Sequence, residues 1–224
     1  MQSLIILGII FLITLSSIVF LVFIVWQRLN LYVSFGINPE KHLAYIIRCF
    51  EAIRVKCISI QKDDWELLSY KSEPTKLKET VKGFRSGYIQ NIYAENIFAY
   101  GFYPSSSKNP IIILGTKEQF CLFRKNKDGR FSVYWNNSTI YAYINSKFEL
   151  TRNNSVIGRL VEHQDKGFTS LFLDDLEYAT INEWRETESK IPQRFFNIIK
   201  DIPSTSTNDF RILCYFKMYM WLTR

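Results

Sequence analysis

The stretch FELTRNNSVIGRLVEHQDKGFTSLFLDDLEYATI, residues 148–181, decides the fold class. Runs rich in β-branched and aromatic residues, at 147–151, 155–162, 168–173 and 177–181, alternate with the polar clusters RNN, HQDKG and DD. Asn, Asp and Gly accept the backbone geometry of tight hairpins, so each cluster reads as a connection and each run as a strand. The same rhythm extends upstream to 111–115, 119–124, 130–135 and 139–144. Short strands with such tight connections predict an antiparallel meander, hence a curved sheet or barrel. Its alternation is imperfect, as in Tyr141-Ala142-Tyr143-Ile144, which predicts partial cover on both faces.

Downstream, residues 182–200 predict a helix broken or restarted at Pro192, and a polar linker leads to the terminal NDFRILCYFKMYMWLTR. Between Ile212 and Leu222 only Lys217 interrupts the apolar run, which is eleven residues long. That makes about 16 Å of helix, too short to span a bilayer. A helix apolar nearly all round should be buried, so Phe210, Leu213, Phe216, Tyr219, Met220 and Trp221 are candidates for a core helix or a partner-docking one. A sheet that curls around the helix makes it packing; a sheet that does not makes it a docking surface.

Upstream of the meander, Asn38-Pro39-Glu40 is a helix start, and Leu43, Ile46, Ile47, Phe50 and Ile53 give that helix one apolar face. Residues 54–60 (RVKCISI) alternate and predict a strand that returns over 65–70 after the turn Lys62-Asp63-Asp64. A basic, partly helical segment is expected over 72–82, while 83–110 hold many aromatics without a clear period.

Residues 4–26 carry no charge and are mostly Leu, Ile, Val and Phe. As a helix they reach about 35 Å, enough for a hydrocarbon core of about 30 Å, and no basic n-region or A-x-A cleavage site marks a secretory signal. The segment is expected to be an uncleaved single-pass anchor, with Trp26, Arg28 and Tyr32 at the membrane interface. Arg28, Lys41 and Arg48 follow it and no cation precedes it, so the body is expected on the cytoplasmic or organelle-interior side.

The net charge is +7. Lys71, Lys76, Lys78, Lys82 and Arg85 form one basic cluster, and Arg124, Lys125, Lys127 and Arg130 another. Both are candidate contacts for an anionic lipid surface, although solvated loops carry such clusters too. Basic and aromatic residues interleave from Lys71 to Tyr103, but KGFRSGY departs at once from the aromatic RNA-binding signature, which argues against nucleic acid. No phosphate loop or nucleophile elbow is present; the four cysteines make no C-x-x-C, and the two histidines lack metal-ligand spacing. Asp63-Asp64 and Asp174-Asp175 sit between strand patterns and read as turns. No catalytic residue, metal ligand or cofactor site is assigned.

A curved meander followed by an apolar terminal helix is similar in outline to the tubby and scramblase-like group, and FELTRNNSVIGRLVEHQDKG, residues 148–167, resembles that group's strand–turn–glycine–strand phrasing. The resemblance implies a barrel enclosing the terminal helix, and lipid or headgroup binding. It departs in placing the anchor before the domain, and it assigns no residue a role.

The expected architecture is therefore α+β. It comprises a transmembrane anchor (1–27), a juxtamembrane segment with an amphipathic helix (28–54), and a mostly β domain (55–224) ending in an apolar helix. The expected role is a non-enzymatic accessory subunit of a larger membrane-associated assembly. The alternative is a membrane-tethered domain that binds anionic headgroups.

Overall fold

Two-residue hairpins fold the chain back on itself where the sequence places paired Asn or Asp. Asn153 and Asn154 take φ of 53° and 62°, and Asp174 and Asp175 take 47° and 63°. Positive φ at both central residues is the type I′ geometry, whose twist matches that of paired strands. Around these turns β8 (Glu149–Arg152) pairs with β9 (Ser155–His163), and β10 (Phe168–Leu173) with β11 (Leu176–Asn182).

The computed structural model describes residues 39–60, 62–75, 84–102, 110–136, 138–183 and 193–223, the side chains of 39–42, 62 and 63 excepted. The chain divides into two compact units, Met1–Lys41 and His42–Arg224. The expected anchor at 4–26, with Trp26, Arg28 and Tyr32, lies outside the described residues. Among the described residues no helix is long and apolar enough to cross a membrane.

Within the second unit the remaining strands are β1 (Leu68–Pro74), β2 (Arg85–Asn91), β3 (Asn96–Phe102), β4 (Ile111–Gly115), β5 (Phe120–Lys125), β6 (Phe131–Trp135), β7 (Ile140–Ile144) and β12 (Phe196–Ile198). They form one 12-stranded sheet in chain order, with antiparallel neighbours throughout. Register shifts at Ile89/Gln90, Val133/Tyr134, Leu150/Thr151 and Leu171/Phe172 add local twist, and a sheet this wide must curl. The first and last edges nearly close it into a barrel: Ser69 bridges Arg194, and Phe195 N–H donates to Leu68 O at 2.8 Å.

The α1 helix (Pro39–Arg54) covers the outside of β2–β5, its Ile46, Phe50 and Ile53 packing with Ala99, Ile111, Ile113, Phe120 and Leu122. The α2 helix (Thr207–Leu222) fills the inside. β4 is therefore buried at every residue: Ile112 and Leu114 belong to the inner core, Ile111 and Ile113 to the outer. Along α2, Phe210, Ile212, Leu213, Cys214, Tyr215, Phe216 and Met218 are buried. Tyr215 lies stacked between Trp65 and Trp135, at 6.2 and 6.1 Å between centroids.

Three expectations are corrected. Residues 55–60 form no strand; α1 ends at Arg54 and a turn follows, joined to the sheet by Ile58 N–H to Asn96 O at 2.9 Å. Alternation without a neighbouring strand to pair with does not make a strand. The basic segment begins as β1 rather than as helix, through Pro74; residues 76–83 lie outside the described residues. The described part of 182–200 is extended: Gln193 to Phe195 closes the barrel edge and leads into β12. There Phe195 stacks on Tyr70 at 4.3 Å and Phe196 meets Trp65 edge-on at 5.4 Å, contacts that outweigh helix propensity.

Each fully buried apolar side chain contributes about 1.5–3 kcal/mol, so α2 as a whole contributes on the order of 10–20 kcal/mol, comparable to or above the net stability of a typical domain. A chain ending at Asp209 should therefore lose its cooperative melting transition and near-UV circular dichroism. Phe216→Ala, which empties one position, should keep the fold and cost about 3–5 kcal/mol in chemical denaturation.

Candidate functional site

Polar side chains fasten α2 to the wall in three directions. Near its start, Asp209 accepts from Tyr141 Oη at 2.9 Å and from Arg152 at 3.1 and 3.3 Å. Burial raises the Asp209 carboxyl above its ordinary value, while Tyr141 and Arg152 pull it back down. Arg211 reaches Gln119 at the β4–β5 connection. Lys217, only 5% exposed, donates from Nζ to Glu162 Oε1 on β9 at 2.8 Å.

Past Met218 the helix emerges, and two clefts flank its end. The first, about 460 Å³, lies against β1–β3, with Thr75, Arg85, Ser86, Tyr100 and Trp221 in its lining. Thr75 and Ser86 hydroxyls meet at 2.9 Å there, and the Arg85 guanidinium lies over the Phe102 ring at 5.9 Å. The second, about 490 Å³, lies on the other side of Trp221, between Tyr70, Phe195 and Met220, with Glu183 and Lys217 also lining it. Its aromatic wall is continuous: Trp221 meets Tyr70 edge-on at 5.3 Å and Phe195 at 5.8 Å.

The structure separates the residues expected to form surfaces. Lys71 and Arg85 are exposed near the first cleft, on β1 and at the start of β2; Lys76, Lys78 and Lys82 lie outside the described residues. Lys125, Lys127 and Arg130 are exposed on the β5–β6 hairpin, with Arg124 half-buried beside them. Arg130 pairs with Asp128 at 2.7 Å, and that pairing lowers the Asp128 carboxyl. Phe210, Leu213 and Phe216 are buried inside the barrel, whereas Tyr219, Met220 and Trp221 are half-buried at its mouth.

Cys57 is pushed up to about 12, first by burial and then by Glu118; burial also raises Cys121 and Cys214, so these thiols are poor nucleophiles. His163 Nε2 lies 3.1 Å from Ser170 Oγ, and its ring packs on Phe168 at 4.8 Å. Among the described residues no group of His, Cys, Asp and Glu has metal-site geometry. The mouth residues Tyr70 and Phe195 were not singled out by sequence patterns; Lys217 was, but only as the interruption of an apolar run.

No family model, curated protein or solved structure matches this chain.

Arg152→Met should leave Asp209 buried without the guanidinium that donates two of its hydrogen bonds. Arg152 remains 36% exposed, so the expected loss is about 1–3 kcal/mol rather than the 3–5 of a fully buried pair. The variant raises the Asp209 pKa further above its unfolded value, so the folded form binds the extra proton and the deficit shrinks as pH falls through that raised value. Melting temperatures of variant and parent, measured in parallel from neutral to mildly acidic pH, should therefore converge on acidification.

Proposed function

We propose that this chain is a non-enzymatic interaction subunit, tethered to a membrane through residues 4–26, whose barrel docks on a larger membrane-associated assembly. The observation that supports this reading is the filled interior. The chain's own helix occupies the space inside the sheet from Phe210 to Met218, and α1 covers the outer face of β2–β5. Recognition then falls to rigid external features: the mouth around Trp221 and the hairpins on the uncovered strands.

A second reading, an anionic-headgroup-binding domain, is favoured by the exposed Lys125, Lys127 and Arg130 on one hairpin and by Arg85 at the lip of the first cleft. Near an anionic leaflet each cation contributes about 1 kcal/mol. The barrel enclosing a terminal helix also has the outline that goes with lipid binding in the group the sequence resembles.

Native purification in mild detergent separates the readings. Under the first, the protein co-migrates with fixed partners at constant stoichiometry, and the triple variant Lys125→Glu/Lys127→Glu/Arg130→Glu leaves that association unchanged. A solitary monomer that binds anionic vesicles, with binding lost in the triple variant, overturns the subunit reading in favour of the headgroup one.

A further inference from the structure

The second cleft combines features that packing alone does not account for. Lys217 is 5% exposed, yet it lines an open space of about 490 Å³. That volume lies within the range of small-molecule sites, about 300–1,000 Å³. An ammonium carries three N–H donors. One goes to Glu162 Oε1 at 2.8 Å, and among the described residues Lys217 has no second acceptor. This largely buried cation lines the slot together with Tyr70, Phe195, Met220 and Trp221, and with the polar Asn182 and Glu183.

The charges around the slot select the ligand's polar end. Glu162 already neutralises Lys217, and Glu183 adds a carboxylate to the lining. Among the described residues this leaves one carboxylate in excess, which disfavours an anion, whereas a neutral oxygen acceptor would take a spare N–H without that repulsion. A hydrocarbon would fill the slot and leave the donor unsatisfied, which is costly for a buried group.

We propose that this cleft binds a neutral, medium-length aliphatic molecule bearing one carbonyl oxygen. The carbonyl sits on Lys217 Nζ, and the chain lies along Tyr70, Phe195, Met220 and Trp221. The inference is independent of the subunit and headgroup readings: its ligand is uncharged, and its site lies across Trp221 from the Arg85 cleft.

The chain has three methionines, one of which, Met220, lines the slot, so its methyl group is a local reporter. Full-length protein in nanodiscs, labelled at the methionine methyl carbons, is titrated separately with 2-decanone, decanoate and decane at matched bilayer concentrations. The expected result is a saturable Met220 shift with 2-decanone, at least about tenfold weaker with decanoate or decane, as for the loss of a charge-assisted hydrogen bond. Lys217→Met/Glu162→Gln removes the two charges of the pair together, so that neither is left facing the other's absence, and should weaken 2-decanone by about tenfold or more while melting as a folded protein. Met220→Trp, followed through the indole proton signals, fills the slot and should abolish the response with Lys217 intact. The proposal is overturned if 2-decanone gives no saturable shift, if decanoate binds as well or better, or if the folded double variant binds 2-decanone like the parent.

Discussion

The fold depends on enclosing a helix that is apolar on almost every side. Such a helix has no face to offer water, and a sheet packed against one side of it would leave the rest exposed. Only a surface that wraps around satisfies it, and the meander provides one, twelve strands in chain order with its two edges joined at Ser69 and Arg194. The dependence is mutual. The inward side chains of the strands, from Ile89 and Phe98 round to Leu171 and Ile181, find their neighbours on α2 or on residues packed around it. Neither component has a stable arrangement without the other, although they are separated along much of the chain.

Covering both faces of part of the sheet explains which strands were readable. From Ile111 onward the turn residues announce the hairpins, and the eight expected strands all form with ends shifted by no more than two residues. β2 and β3 were not legible because α1 lies outside them and α2 inside, so nearly all their residues are buried and the two-residue period disappears. Gly101 is part of the same crowding: a Cβ there would come within 2.4 Å of the Phe84 ring. The false strand expected at 54–60 has the opposite origin, since its apolar Val55 and Ile58 remain exposed beyond the end of α1.

The candidate site was less legible than the fold. Its wall joins Tyr70, at the first strand, to Phe195, at the closing edge, and to Trp221, near the end of the helix. These residues meet only because the barrel closes, and no local spacing encodes that closure. Lys217 was visible as an interruption in an apolar run. That it would lie against Glu162 rather than in solvent depends on the depth to which the helix enters the sheet.

That depth, and the rotation of the helix about its axis, need a physical cause. Hydrophobic burial is non-directional, and a helix apolar nearly all round gains similar area at many rotations. Asp209, Arg211 and Lys217 remove this degeneracy. Successive residues are about 100° apart around a helix, so the three point in different directions, and their partners stand on different parts of the wall: Arg152 on β8, Gln119 before β5 and Glu162 on β9. Rotation by one residue would part all three from their partners, and for the buried Asp209 and Lys217 each loss costs about 1–3 kcal/mol or more. Buried pairs add little net stability compared with apolar replacements, so what they contribute to this barrel is a single seating of the helix. The same seating places Lys217 in the lining of the second cleft, beside Glu162.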